Sequence, residues 1–407
     1  MRICMVLRKQ YPTDVRVAKE ASALLDAGHE VELLCRGQSH LPEHETIDGV
    51  EVRRLTVYGR SSTARWPETL RFLTQRVHPL WADAMREAVD DGADALHIHD
   101  LPLVRTALSV REETGVPVVA DLHENYPEAI RQWRRMDEPS DVYRSPARIA
   151  DYAFQPVRRW KRIEERCVRE ADHVLTPVEE GREHYLDNCD ASPESVTVVG
   201  NTVEVEKFDP KEVETVPEAD DEAFTLSYVG KFAPHRGLDT VVRALPAIAD
   251  EIPNVRLLVV GAPGTPTYGK EFNGLCARLG VLDRVTYTGW VDFERVPDYM
   301  AESDVCTVTH ASTPHTETTV PHKLFQYMAM ERPVLVSDVK PLARIVSETE
   351  SGAVSGAGDP DSVADAVLEL ADEETARERG QNGRAAVEGR YGWAHDADSL
   401  RTVYESL

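Results

Sequence analysis

At 407 residues and 45.5 kDa the chain exceeds one ordinary core and divides into two domains of roughly 200 residues each. Its 71 acidic against 46 basic residues leave a net charge of -25, and Arg far outnumbers Lys, which argues against generic nucleic-acid binding through neutralised phosphates. The same acidic, lysine-poor balance suits concentrated salt, where screening removes the self-repulsion of the surface.

The six cysteines show no C-x-x-C and no metal spacing, and Cys4, Cys35 and Cys306 sit in apolar runs, so they read as reduced core residues of a cytoplasmic protein. The opening Met-Arg-Ile-Cys-Met-Val-Leu is too short for a signal peptide, and no later run reaches membrane-spanning length.

Ile3 to Leu7 is a strand, followed by the polar loop Arg8 to Asp14, a helix carrying Val17, Ala21, Leu24 and Leu25, a stop at Gly28, and a strand from Val31 to Cys35. That βαβ unit implies a parallel sheet. It recurs as strand Ala95–His99, helix Pro102–Thr114 and strand Val116–Ala120, and then as strands His173–Thr176 and Val196–Val199. Asp209 to Asp221, rich in Glu, Asp, Val and Pro without periodicity, reads as a domain connection.

The alternation then restarts. Strands are expected at Thr225–Val229, Val255–Val260, Arg284–Thr288, Val305–Thr309 and Val334–Val336, with a helix over Leu238–Ile248. The chain closes on a helix from Tyr391 to Tyr404. Two doubly wound α/β halves of this kind bind ligands at the carboxyl ends of their strands, in a cleft.

Two segments of the second half suit an anion. Strand Thr225–Val229 ends in Gly230-Lys-Phe-Ala-Pro-His-Arg-Gly237, where Gly230 allows close backbone approach and Lys231 and Arg236 put two cations at a loop that opens a helix. In Thr318 to Asp338, Pro321 occupies the first helical position, Leu324 with Met328 and Phe325 with Ala329 face a core, and Lys323, Gln326 and Met330 lie on a stripe left for a ligand. Neither segment is a Walker A loop or G-x-G-x-x-G. Asp359-Pro-Asp361 reads as a cap and turn, Asp396-Ala-Asp398 as a solvated helix face, and His310, His315 and His322 as exposed loop histidines rather than a metal site.

One region departs from the acidic background. Arg131 to Arg162 holds nine basic residues against four acidic ones, interleaved with Trp133, Tyr152, Phe154 and Trp160, and a second patch comprises Arg65, Trp66, Arg71, Phe72, Arg76 and Trp81. Such patches fit either an anionic lipid surface or acceptor, or ordinary helix packing with arginines solvated outside.

Together these motifs resemble the retaining glycosyltransferases of family 4, of GT-B fold, over essentially the whole chain. Tyr228-Val-Gly-Lys with Arg236-Gly-Leu-Asp-Thr is similar to that family's phosphate-binding loop, and Pro321-His-Lys-Leu-Phe-Gln-Tyr-Met-Ala to its nucleotide-sugar helix. Pro12 to Glu20, Asp121 to Glu128, Ala171 to Thr176 and Gly200 to Phe208 are similar to its N-terminal segments.

The resemblance implies two Rossmann-like domains facing each other across a cleft. Residues 1–203 form the acceptor side, 204–390 bind the nucleotide sugar, and the closing helix 391–407 packs back on the first. It implies a metal-independent hexosyltransferase, with no cofactor beyond a nucleoside-diphosphate sugar as co-substrate and a saccharide or lipid-linked acceptor. Its setting is cell-surface polysaccharide or glycolipid synthesis at the inner membrane face.

By the same resemblance Lys231, Arg236 and His123 are catalytic. Gly230, Lys323, Leu324, Gln326, Thr318, Trp290 and Val291 bind the donor, and Asp14, Arg16, His99, Asp100 and Glu124 line the acceptor side. The family's two glutamates eight positions apart are here Thr318 and Gln326, with Glu317 one residue out of step, and an uncharged amide holds a ribose less strongly. The alternatives are a nucleotide-sugar epimerase of the same architecture and a non-catalytic pseudo-glycosyltransferase that binds nucleotide or glycan. If the acidic surface is a salt adaptation, the midpoint of thermal unfolding rises between low and molar salt; a level or falling midpoint rejects that reading.

Overall fold

The computed structural model describes residues 1–38, 40–56, 77–137, 139–220 and 222–407. Of the second basic-aromatic patch, Arg65, Trp66, Arg71, Phe72 and Arg76 lie outside the described residues, and Trp81 is buried in the core. Contacts divide the chain into two compact units, Met1–Val199 with Ala397–Leu407, and Gly200–Asp396.

The first unit is an eight-stranded sheet with helices packed on it. Its strands are β1 (Arg2–Leu7), β2 (Glu30–Arg36), β3 (His44–Ile47), β4 (Val50–Leu55), β5 (Ala95–His99), β6 (Val118–Asp121), β7 (His173–Thr176) and β8 (Val196–Val198), in the order β3-β4-β2-β1-β5-β6-β7-β8. All pairs are parallel except β3 with β4. That hairpin was not expected, although its turn carries a strong signal: Asp48-Gly49, both at positive φ (48° and 86°), the backbone that a two-residue hairpin demands.

The second unit is a six-stranded parallel sheet ordered β11-β10-β9-β12-β13-β14. Its strands are β9 (Phe224–Val229), β10 (Val255–Val260), β11 (Val285–Gly289), β12 (Val305–Val308), β13 (Val334–Ser337) and β14 (Gly352–Ser355). β14 was not expected, because Gly-Ala-Val-Ser is too short and too weakly apolar to signal a strand by itself.

In each sheet the chain reverses its winding at one place. The order turns between β1 and β5 in the first unit and between β9 and β12 in the second, and in open α/β sheets the carboxyl ends of the strands at such a turn are the usual ligand position.

Several sequence readings change. The stretch 209–221 is not a free connection: Val216 is buried, and Glu214 N–H donates to the Asp298 carboxylate at 2.9 Å within the second unit. Pro321 is the N-cap (φ -81°, ψ 145°) of the helix His322–Ala329, one residue outside the position expected, and Met330, expected on the free stripe, is fully buried. The far end of that helix is tied by Arg384, which donates to the Ala329 carbonyl at 2.8 Å. All six cysteines are buried and free.

Asp396 was expected on a solvated face and is buried instead. Its carboxylate accepts from Gly200 N–H at 2.7 Å and from the Thr202 hydroxyl. The helix face pattern did not show this, because both donors are nearly two hundred residues upstream. Asp396→Ala leaves two buried donors unpaired and is expected to lower stability by about 2–4 kcal/mol, read by urea denaturation; wild-type stability would return the residue to the surface role first expected.

Candidate functional site

In the first unit the reversal between β1 and β5 collects side chains from three strand ends. Lys9 and Asp14 follow β1, His99 and Asp100 end and follow β5, and His123 and Glu124 follow β6. The centre is Asp121, fully buried at the end of β6. Arg16 donates to it twice, from Nη2 to Oδ1 at 2.6 Å and from Nε to Oδ2 at 3.1 Å, and also donates to the Val199 carbonyl at 2.7 Å. His99 Nδ1 lies 3.0 Å and His123 Nε2 2.6 Å from Asp121 Oδ2.

Burial by itself would raise the Asp121 carboxyl, but the Arg16 and His123 charges outweigh it and hold it well below the usual carboxylate range. Burial likewise presses the His123 pKa down, and Asp121 and Asp100 overcome it, leaving His123 raised from 6.5 to about 9. Beneath this layer, His97 Nδ1 is 2.6 Å from the Tyr404 hydroxyl and His97 Nε2 is 3.3 Å from Glu20 Oε2.

Two expectations are corrected here. Arg16 and His99, expected to line the acceptor side, are 2% and 0% exposed and serve Asp121 from inside. Asp14, Glu124 and His123 remain partly exposed, with Asp14 also accepting from Val17 N–H as a helix cap. Sequence reasoning missed Lys9, Glu20, His97, Asp121 and Tyr404; the available signal was the H-x-H at 97 and 99, which puts two imidazoles on one face of a strand buried along its whole length.

Glu20, His97, His99 and Asp121 bring metal-ligand atoms within 4.8 Å of one another. Arg16 already pairs with both carboxylates, and His123 Nε2 lies 2.6 Å from Asp121 Oδ2, so a further cation would enter a buried site beside a guanidinium that holds the same carboxylates. At Glu164, His184 and Cys189, burial holds the Cys189 thiol and the Glu164 carboxyl above their ordinary pKa, and His184 Nε2 lies 3.2 Å from Glu164 Oε2.

In the second unit the reversal between β9 and β12 gathers cations. Gly230 leaves β9 at φ 114°, and a Cβ there would lie 3.5 Å from Lys323 Nζ. Lys323 sits over the Tyr228 ring, its Nζ 3.6 Å from the centroid, and the Tyr228 hydroxyl donates to the Lys231 carbonyl at 2.9 Å. Gly237, at φ 68°, brings its backbone so close to β12 that a Cβ would stand 1.6 Å from the Thr309 carbonyl oxygen. That approach seats Arg236, whose Nη1 donates to His310 Nε2 at 3.1 Å.

Lys231, Arg236 and Lys323 have no carboxylate partner among the described residues. Burial and the neighbouring Arg236 charge press the Lys323 pKa well below the usual lysine value. Burial followed by the charges of Arg236, His315, Lys231 and Lys323 takes His235 down to about 3, and burial followed by Arg236, Lys323, His235 and His315 holds His310 well below its ordinary value. His310 and His315, expected in solvent, are 1% and 7% exposed.

Other residues expected to bind the donor fall out differently. Leu324 is wholly in the core, so only its backbone can meet a ligand. Thr318 donates to the Pro314 and His315 carbonyls, both at 3.2 Å, while Glu317 accepts from Ser312 at 2.6 Å and from Lys340 N–H at 2.9 Å; both are committed to their own loop. Gln326 is half-exposed beside Lys323 on the helix, and Trp290, 69% exposed, and Val291 follow β11.

Comparison with known proteins follows the same division. A glycosyl transferase 4-like domain model matches residues 13–202, and a glycosyl transferases group 1 model matches residues 223–373. A D-inositol 3-phosphate glycosyltransferase of Kribbella flavida is 26% identical over 97% of this chain and 90% of its own, and an uncharacterized glycosyltransferase of Methanocaldococcus jannaschii is 23% identical over 95% and 92%. Among solved structures, sucrose-phosphate synthase from Thermosynechococcus elongatus superposes with a TM-score of 0.78 at 19% identity, covering 100% of this chain and 98% of that one. Anabaena HepE in complex with UDP and glucose superposes with a TM-score of 0.71 at 15% identity, covering 100% of both chains. With consecutive domain models on its two halves, full-length glycosyltransferase relatives and this pair of parallel sheets, the chain belongs to the group 1 glycosyltransferases of GT-B fold.

Proposed function

We propose that this glycosyltransferase moves a hexosyl group from a nucleoside-diphosphate sugar to a saccharide or lipid-linked acceptor, with retention at the anomeric carbon and without a metal. The observation that carries the donor half is the set of three cations, Lys231, Arg236 and Lys323, with no carboxylate partner among the described residues of a chain whose net charge is -25. A diphosphate supplies the missing negative charge, and it is the group whose charge grows as the glycosidic C–O bond to it breaks. The acceptor oxygen forms the new bond and its proton passes to the departing phosphate oxygen, so no protein nucleophile is needed. HepE holds UDP and glucose in a fold of this kind, which supports the same class of donor here.

Electrostatics gives the site a direction. Burial and the Arg236 charge press Lys323 toward its neutral form, and the negative charge of a diphosphate beside it would oppose that shift. The two buried histidines stay neutral beside the cations and act as hydrogen-bonding groups.

The surface between Tyr126 and Arg162 supports a lipid-linked acceptor at an anionic membrane. Trp133, Tyr143, Ile149 and Phe154 are exposed at 42%, 78%, 45% and 55%, among exposed Arg135, Arg144, Arg158 and Arg162. Part of the patch belongs to packing instead: Trp160 is buried against Tyr126, and Arg134 pairs with Asp151 at 2.8 Å and lies over the Tyr152 ring.

A panel of nucleoside diphosphates and their sugars, read by melting temperature and by release of nucleoside diphosphate, tests the donor half. One nucleotide class is expected to raise the melting temperature, and Lys231→Ala or Arg236→Ala to weaken it about tenfold to a hundredfold. Gln326→Glu is expected to tighten the donor; unchanged affinity would put that side chain away from the ribose, and an epimerised sugar or binding without turnover would reject the transfer. Co-sedimentation with phosphatidylglycerol vesicles is expected for the wild type at low salt and to be lost when Arg135, Arg144, Arg158 and Arg162 are changed to Glu; sedimentation that the changes leave intact removes the membrane contact.

A further inference from the structure

Asp100 stands in a backbone conformation that side chains avoid. Its φ of 66° and ψ of 151° fall in a region populated almost entirely by glycine. It precedes the helix Leu101–Thr114 at the N-cap, yet makes no side-chain cap bond, so it forgoes the use an Asp ordinarily has there. Its N–H donates to the Asp121 carbonyl at 2.9 Å, which pins the strained peptide to β6.

What the strain secures is the direction of the carboxylate. Asp100 Oδ2 lies 3.3 Å from Lys9 Nζ, and Oδ1 lies 3.5 Å from His123 Nδ1. The other ring nitrogen, His123 Nε2, is 2.6 Å from Asp121 Oδ2. Ionised carboxylates only accept, so a ring with a carboxylate at each nitrogen is satisfied when both nitrogens carry protons.

We propose that Asp100 is a positioning residue which, together with Asp121, keeps His123 an imidazolium that meets a substrate oxygen as a hydrogen-bond donor and does not act as a base. Nε2–H is committed to Asp121, whereas the 3.5 Å separation at Nδ1 leaves that proton able to turn to a nearer oxygen. The inference rests on the transfer reaction proposed above for its substrate, but not for the charge state itself.

The groups facing His123 come from every neighbouring element. Asp121 and Glu124 flank it on its own segment, Asp100 and His99 come from β5 and the residue after it, Arg16 and Asp14 from the first helix and its cap, and Lys9 from the loop after β1. Arg16 opposes the charged ring but is itself engaged by Asp121 and Glu20. With the folded value raised from 6.5 to about 9, the charged form is complete below 6.5 and is lost as pH rises through about 9. As a donor, His123 makes kcat/KM fall through that range; as a base it would make kcat/KM rise through it.

The test uses the full-length protein with Asp100→Asn, which keeps the shape, and Asp100→Gly, which accepts the backbone without strain and protects against a folding failure. Ring 15N shifts of His123, assigned with a His123→Asn control, are expected to show both nitrogens protonated at pH 7. Titration is expected near 9 in the wild type and lower by about one unit or more in both variants. The alkaline limb of kcat/KM is expected to move by the same amount. A neutral ring at pH 7 in the wild type, or a titration that neither variant moves, overturns the proposal. The spectroscopic reading needs no turnover, so it separates this result from failure of the proposed reaction.

Discussion

The Arg16–Asp121 pair organises the first unit. Arg16 comes from the helix after β1, Asp121 ends β6, and the guanidinium also holds the Val199 carbonyl just past β8, so one buried side chain ties three parts of the sheet. Removing either partner would strand a charge in the interior, at about 3–5 kcal/mol. With the pair intact, Asp121 has acceptor capacity left for His99 and His123. His123, partly exposed where His99 is fully buried, thus meets a buried carboxylate at Nε2 that is itself held by Arg16.

The second unit works by the opposite device. Among the described residues Lys231, Arg236 and Lys323 have no carboxylate partner, and burial, reinforced by neighbouring positive charge, keeps the buried His235 and His310 neutral. In a chain with so large an acidic excess, that local deficit is the feature on which the proposed anionic donor rests. Backbone approach makes it possible: Gly230 and Gly237 both take positive φ, one beside Lys323 and the other against the Thr309 carbonyl, so the loop after β9 draws in close enough to hold Lys231 and Arg236 at the strand ends.

The two devices share one topological cause. A parallel sheet that changes its winding direction separates the loops at that point, and each unit carries its polar side chains there. The six other strands of the first sheet and the four others of the second supply the apolar interior that makes the buried charges near them cheap to orient and costly to disturb.

Local pattern was enough for six of the eight strands of the first sheet and five of the six of the second, because buried strands of Val, Ile and Leu separated by amphipathic helices leave few alternatives, and it was enough to name Lys231, Arg236, Lys323 and His123 as residues at strand or helix ends. It was silent on β14, and the Asp48-Gly49 signal of the β3–β4 hairpin passed unread. Tertiary structure alone decided which polar residues are spent inside. Arg16 and His99 turned from site lining into support, Asp396 turned from a solvated face into a buried acceptor, and His310 and His315 left solvent for the cation cluster. In each case the deciding partner is distant in sequence, as with Arg16 and Asp121 at a separation of 105 residues, and periodicity cannot register an interaction between residues that only the fold brings together.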